Sequence, residues 1–249
     1  MASACISQTE TRPRGRLVIN ADDWGRDLNT TDRTLECYVS GTISSVSGMV
    51  FMEDSERAAQ IAREHGIDAG LHLNFTTPFT ARNCPPDIAQ HQQRISRCLL
   101  RYRFAQAVFY PMLTRSFACV VAAQIKEFQR LYGTALERVD GHHHMHLCAN
   151  VLLGRLLPKG TIVRRNFSFE RGEKSWVNRY YRQAVDRFLA RRHCLTDFFF
   201  SLTPLEPRAR LQRIFSLSRR FSVEVETHPL NPEEYRFLGS GMRRKRCRF

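Results

Sequence analysis

The chain has 249 residues, a formal charge of +14 and 43% apolar residues, enough to bury one large core or two small ones. No apolar run approaches the ~18–20 residues of a bilayer span, so no membrane-spanning helix is expected. Eight cysteines are scattered without a CxxC pair, which argues against a zinc ribbon or a disulfide framework and for free thiols in a cytoplasmic protein.

Residues 1–15 carry arginines but no apolar stretch, and are expected to form a flexible leader rather than a secretory signal. Leu17-Val18-Ile19 then reads as a strand that closes on Asn20-Ala21-Asp22-Asp23. A helix is predicted over Asn29–Gly41, capped by Asn29, Thr30 or Thr31, and a β-branched strand over Thr42–Val50. Another helix is predicted at Glu53–Glu64, with Gly66 as its stop. Asp68–Phe75 alternates apolar and polar residues, which places His72 and Asn74 on one face of a strand. Residues 76–87 carry Pro78, Pro85 and Pro86 and should be a loop, a candidate substrate lid.

Helices are predicted over residues 88–109 and 117–131. Glu137-Arg138-Val139 leads as a strand into Asp140-Gly141-His142-His143-His144-Met145-His146. A short helix (149–157), a strand (160–164), an amphipathic helix (Ser175–Arg192), a strand (Asp197–Ser201) and a helix (Pro207–Leu217) follow. The last strand begins at Ser222 and ends at His228-Pro229, where proline halts ladder pairing. Alternating strands and helices without a repeat or linker indicate one α/β domain over residues 16–235, with a parallel, barrel-like sheet. A Rossmann fold is not expected, because no GxGxxG follows the first strand. Residues 236–249, with Arg243, Arg244, Lys245, Arg246 and Arg248, read as a solvated basic tail.

Two adjacent carboxylates repel each other, and four of the nine histidines fall within five residues. A divalent metal reconciles both, since carboxylate oxygen and neutral imidazole nitrogen are its usual ligands. Each cluster alone has a plainer reading, a turn or helix cap for the aspartates and solvated surface for the histidines. The metal reading gains because four strand-like segments end near an Asp or a His. In βα-repeat proteins the carboxyl ends of the strands share one face. In an extended segment His142, His144 and His146 would lie on one side, so spacing alone does not choose among them. Cys148 is read as a buried apolar residue before a soft ligand. Arg164 and Arg165, after another strand, are candidates for binding substrate hydroxyls or a carboxylate, against a plain surface role. The charge of +14 supports a second class, a non-enzymatic protein that binds nucleic acid or acidic glycan. No nucleic-acid-binding signature accompanies it, so nucleic acid is not the expected partner.

In this combination the chain resembles the YdjC-like (ChbG-type) carbohydrate deacetylases, a branch of the polysaccharide deacetylase-like group. The pieces that carry the resemblance are Val18-Ile19-Asn20-Ala21-Asp22-Asp23-Trp24-Gly25, Gly41-Thr42-Ile43-Ser44-Ser45, Gly70-Leu71-His72-Leu73, the Asp140–His146 run and His228-Pro229. They stand in family order from residue 16 to about 230. Trp24 replaces the usual Phe, Gly141 the usual Ser, and His143 extends the histidine run.

The resemblance implies a deformed (β/α) barrel and a metal-dependent hydrolase that removes N-acetyl groups from amino sugars in oligo- or polysaccharides. It implies Asp23, His72 and His142 as ligands of one divalent metal, Asp22 as catalytic base, and His228 as the residue that polarises the site or protonates the leaving amine. Asp140 is implied to orient a ligand or substrate, and His144 is placed with it. The family is commonly described with Mg²⁺, whereas two imidazoles favour Zn²⁺ or another transition metal. Trp24, Phe75 and Phe79 could stack on sugar rings or pack the core. The expected partner is an N-acetylated amino-sugar substrate, and the expected location is the cytoplasm. The oligomeric state stays open, a homodimer being one option. A metallohydrolase of the same fold acting on another acyl or phosphate ester is the alternative enzyme.

Overall fold

The computed structural model describes residues 15–102, 104–169 and 173–241. The leader before Gly15 and the basic run Arg243–Arg248 lie outside the described residues. In chain order the elements are β1 (Arg16–Trp24), α1 (Leu28–Val39), β2 (Ser45–Gly48), α2 (Ser55–His65), β3 (Ala69–Leu73), α3 (Pro86–Leu99), α4 (Thr114–Tyr132) and β4 (Arg138–Gly141). There follow α5 (Ala149–Leu153), β5 (Ile162–Val163), α6 (Trp176–Ala190), β6 (Phe198–Ser201), α7 (Arg208–Leu217), β7 (Ser222–Thr227) and α8 (Pro232–Gly241).

All strands pair in parallel in one seven-stranded sheet of order β5-β4-β3-β2-β1-β7-β6. The two edge strands are laced together by flanking residues: Val163 N donates to Cys194 O at 2.9 Å and Ser168 N to Phe199 O at 2.8 Å. The result is the deformed (β/α) barrel, with a seam between β5 and β6.

Register partners in a parallel sheet share a face. Asn20 stands beside Ser45 and Glu226, Val18 beside Glu224, and His72 beside Asp140, so the polar residues of every alternation point into the lumen. The opposite face carries Ile19, Val46, Leu71, Val139 and Val225, all buried under the helices. The hydrophobic core is therefore the layer between sheet and helices, and the lumen is left for chemistry.

Helix ends follow local chemistry. Asp27 caps α1 by accepting from Thr30 N at 2.8 Å, a cap outside the expected Asn29–Thr31 set. Gly66 and Gly133 stop α2 and α4 with left-handed φ of 62° and 67°, which glycine adopts without strain. The helix expected over 88–109 is shorter: α3 starts at Pro86 and ends after Leu99, its last buried residue. Beyond it Leu100, Tyr102 and Phe104 are exposed, and the chain continues in single turns at Ala105–Ala107 and Pro111–Leu113. Helix α8 runs across the expected domain limit at residue 235. Among the described residues no helix is long and apolar enough to cross a membrane, and all six cysteines are free.

Leu71 is fully buried on the central strand β3. Leu71→Ala should lower unfolding free energy by about 2–5 kcal/mol, read from the midpoint of urea denaturation.

Candidate active site

Successive residues of a strand point to opposite faces, so Asp22 and Asp23 cannot both face the lumen in a regular β1. The pairing of β1 with β2 shifts register between Ala21 and Trp24, and Asp23 takes a left-handed φ of 63°. Bulges of this kind re-aim side chains. Asp22 turns toward β5, while Asp23 reaches the histidines. Its Oδ1 lies 2.8 Å from His142 Nδ1 and 3.4 Å from His72 Nε2, and its Oδ2 accepts from Arg26 Nη1 at 2.7 Å.

His72, on β3, is fixed from behind: its Nδ1 is 2.7 Å from Asp140 Oδ1, which leaves Nε2 facing Asp23. Asp140 is itself held by Ser47 Oγ at 2.5 Å. The histidine run is not extended. The chain turns tightly after β4, with His143 and His144 both left-handed at φ 54° and 56°. His142, His144 and His146 therefore do not share one side. His142 meets Asp23, while His146 is buried with Nε2 2.9 Å from Arg164 O. His144 faces the Phe167 ring edge-on at 4.6 Å, with its Nε2 3.7 Å from Glu226 Oε2. A Cβ at Gly141 would meet His146 N at 3.0 Å and Leu73 O at 3.1 Å, so this turn leaves little room for the usual serine.

Asp23, His72 and His142 bring a carboxylate oxygen and two imidazole nitrogens within 4.8 Å of one another. Asp22, His72 and Asp140 form a second such group, but Arg164 already occupies both of its carboxylates. Burial works against ionising Asp23, yet hydrogen bonds from His142 and His72 hold its carboxyl well below the ordinary value. Burial likewise disfavours a charged His72, but the Asp22 and Asp140 charges push it up to about 10. The cluster thus stabilises positive charge where its three donor atoms converge. That donor set, with a carboxylate behind one imidazole, suits a divalent cation.

Arg164 is buried inside the lumen rather than presented to substrate. Its Nη1 and Nη2 hold Asp22 bidentately at 2.6 and 2.7 Å, Nη2 reaches Asp140 at 2.8 Å, and Nε reaches Glu224 at 2.7 Å. Nη1 lies 3.4 Å from Glu226, and the guanidinium stacks over Phe199 at 4.9 Å. Burial would raise the Asp22 and Asp140 carboxyls; the Arg164 charge overrides it and keeps both low. Glu226 goes the other way, raised well above its usual value by burial and by the Asp22 charge.

Glu224 and Glu226 were not foreseen as site residues. The signal was present: Val223-Glu224-Val225-Glu226 alternates within a strand buried on both faces, and two inward carboxylates there require a cation. His228 follows β7, half-buried, with its backbone N–H donating to Glu234 Oε2 at 2.6 Å. It stands close enough for its charge to help lower His143, whose main cause is burial. Other expected contacts are structural. Trp24 and Phe75 are fully buried in the core, and Cys148 is a core thiol that burial pushes up to about 12. Arg165 pairs with Asp186 at 2.9 Å. The expected lid is stitched down: Thr80 N and Ala81 N donate to Phe51 O, and Asn74 Nδ2 and Gln92 Nε2 to Thr77 O. It touches the site through Thr76 Oγ1, 3.0 Å from His143 Nδ1.

Similarity to known proteins bears on this polar parallel barrel with one carboxylate and two imidazoles at its strand ends. Residues 16–238 match the family described as YdjC-like protein, and the chain belongs to that family. It is 30% identical over 145 residues to a mouse protein named carbohydrate deacetylase, covering 56% of this chain and 45% of the mouse protein. The chain thus spans less than half the length of that relative. A Vibrio cholerae carbohydrate deacetylase is 25% identical over 86% of this chain and 78% of its own. A Yersinia pestis chitooligosaccharide deacetylase is 23% identical over 54% of this chain and 52% of its own. A solved Enterococcus faecalis protein, provisionally named a cellobiose-phosphate cleavage protein, shares the fold with a TM-score of 0.62 and 16% identity over 93% of each chain.

Replacing Arg164 by Gln leaves buried carboxylates without their cation, at an expected cost of about 3–5 kcal/mol at neutral pH. Without the guanidinium the folded-state pKa values of Asp22 and Asp140 rise above the unfolded ones. Their destabilisation is then largest where they are ionised and disappears on protonation. The gap between variant and wild type should therefore narrow as pH falls toward the ordinary aspartate value of 3.8, measured as urea midpoints across pH.

Proposed function

We propose that the protein is a metal-dependent hydrolase that removes N-acetyl groups from amino sugars in oligo- or polysaccharides. The observation that carries this reading is the convergence of Asp23, His72 and His142 beside a separately held carboxylate, Asp22. Membership of the YdjC-like family and relatives named carbohydrate deacetylases support the substrate class.

Asp23, His72 and His142 would hold one divalent ion, which when bound polarises the amide carbonyl and lowers the pKa of a water. Mg²⁺ follows from the family resemblance, and Zn²⁺ or another transition metal from the two imidazoles. With Asp140 held 2.7 Å from its Nδ1, His72 would present Nε2 to such a cation. Asp22 stays ionised against Arg164 and takes a proton from the attacking water. Arg164 fixes both Asp22 oxygens, trading basicity for position. His228, at the end of β7, gives a proton to the amine nitrogen as the carbon–nitrogen bond breaks, and acetate and the free amino sugar leave. Glu234 holds the His228 backbone for that task. His144 with Phe167 forms the wall against which the sugar is oriented. A cytoplasmic location is part of this reading, supported by the free thiols of the six cysteines among the described residues.

Two variants test the division of labour. Asp23→Ala should abolish stoichiometric metal in the purified protein, read by elemental analysis; full occupancy would remove Asp23 from the ligand set. Asp22→Asn should retain the metal and fold while acetate release from N-acetylated oligosaccharides falls about 10²–10⁴-fold. Near-normal release would show that another group is the base.

A further inference from the structure

Three segments expose apolar side chains at one end of the barrel: residues 100–113 before α4, helix α5, and the first turns of α6. In a parallel barrel the chain passes from strand to helix at the strand's carboxyl end, so α5 and the start of α6 stand at the rim of that face. Helix α4 runs back to β4, which places its own start, and the segment before it, at the same rim. The segments are neighbours. Tyr110 N donates to Asn150 Oδ1 and Asn150 Nδ2 to Tyr110 O, both at 2.9 Å, which ties the first to α5. On the α6 side, burial raises the Tyr181 hydroxyl, and the thiol of Cys148, the residue before α5, lies near enough to add to the rise. The histidine turn is close behind: Ser96 Oγ of α3 donates to Thr76 O at 3.0 Å, and Thr76 Oγ1 meets His143.

Met112 is 83% exposed and Trp176 79%, and Tyr102, Leu153, Val177 and Tyr180 are exposed with them. Contiguous apolar surface of this kind marks a docking face. Its charge selects the partner. Arg101, Arg115 and Arg155 are exposed among these residues, and residues 100–115 and 148–160 contain no acid. Over residues 173–192 the acids are Glu173, which lines a cavity against α7 with Arg210, and Asp186, which is buried and paired with Arg165. A second copy of the chain would set arginine against arginine. The side chains stand at helix ends around a rim, an arrangement for a flat partner rather than for a peptide in a groove. Tryptophan and tyrosine settle at headgroup depth in a bilayer, and arginine is drawn to anionic lipid phosphates.

We propose that this rim is a membrane-docking face, which seats the protein on an anionic lipid surface with Trp176 and Met112 among the headgroups. The chain carries its own reporter. It has two tryptophans, and Trp24 is fully buried, so a change in emission on docking belongs to Trp176. The full chain is titrated with vesicles of phosphatidylcholine alone and of phosphatidylcholine with phosphatidylglycerol. Emission and co-sedimentation are read on the same samples, and neither readout depends on acetate release.

Wild type should bind the anionic vesicles, shift its emission to the blue and bind more weakly as salt is raised. Met112→Ser combined with Tyr180→Ser keeps the charge and the reporter, and should raise the lipid needed for half-binding about tenfold. Arg115→Gln combined with Arg155→Gln should weaken binding to anionic vesicles and leave the small affinity for neutral ones unchanged. All four side chains are exposed, so the urea midpoints should match wild type. Absent binding or an unshifted emission overturns the docking face. So does binding that the Met112 and Tyr180 changes leave intact, since net charge alone would then hold the lipid. A dimer in sedimentation velocity that Trp176→Ser dissolves assigns the face to a second copy, and binding to polyglutamate but not to anionic vesicles assigns it to an acidic protein; either overturns the membrane assignment.

Discussion

Arg164 gathers four lumen carboxylates around one guanidinium: two oxygens of Asp22, one each of Asp140 and Glu224, and Glu226 at longer range. Taking any of these charges out of water costs several kcal/mol, and the attraction offsets that only with close geometry and satisfied hydrogen bonds. Arginine meets the requirement because its planar fork can serve several acceptors at once and keeps its proton. Lysine, a point charge, could not hold Asp22 with two parallel bonds and reach Glu224 as well. What stands around the Asp23, His72 and His142 group depends on this guanidinium. Asp140 can orient His72 because Arg164 keeps it anionic, and Asp22 can wait as a carboxylate for the same reason.

The polar lumen inverts the usual barrel, in which branched apolar side chains fill the interior. Here most apolar residues of the strands are spent under the helices, Val18 and Phe199 beside Glu224 being exceptions, and the inner face carries Asn20, Ser45, Ser47, His72, Asp140, Glu224 and Glu226. Such an interior gains little from hydrophobic burial. It is held by a hydrogen-bonded network instead: Asn20 Nδ2 bonds Asp22 Oδ1 at 2.8 Å and Ser47 Oγ at 2.7 Å, while Ser45 Oγ bonds Asn20 Oδ1 at 2.9 Å. Networks of this kind specify one arrangement when every member is satisfied.

Much of this was legible in the residues. The alternation of Asp68–Phe75 put His72 on its face, and the parallel strand–helix pattern put the ends of β1, β3, β4 and β7 together. What stayed hidden depends on contacts between distant strands or on backbone angles. Arg164 could be read as a substrate binder because only the assembled barrel sets it opposite Glu224, sixty residues later. The turn at His143 and His144 could not be foreseen, since both residues occupy a region that non-glycine residues seldom visit. The same holds for Asp23. The early stop of α3 came from exposure beyond Leu99, which helical periodicity alone overran.

The bulge at Asp23 separates two neighbours that share a peptide bond, so that one answers to a guanidinium and the other to two imidazoles. Its geometry is braced from behind. Gly25 follows with φ 83°, and a Cβ there would meet Ala58 Cβ at 3.1 Å and Ser55 Cα at 3.2 Å, at the start of α2. Met49 N holds the Trp24 carbonyl at 2.8 Å, and Arg26 N the Asp23 carbonyl at 3.0 Å. The aim of the carboxylate is therefore set in part by packing on the outer side of the sheet. Residues such as Ala58, which face no ligand and carry no charge, belong to the alignment of the centre, and a bulkier side chain there would register first as a misdirected Asp23.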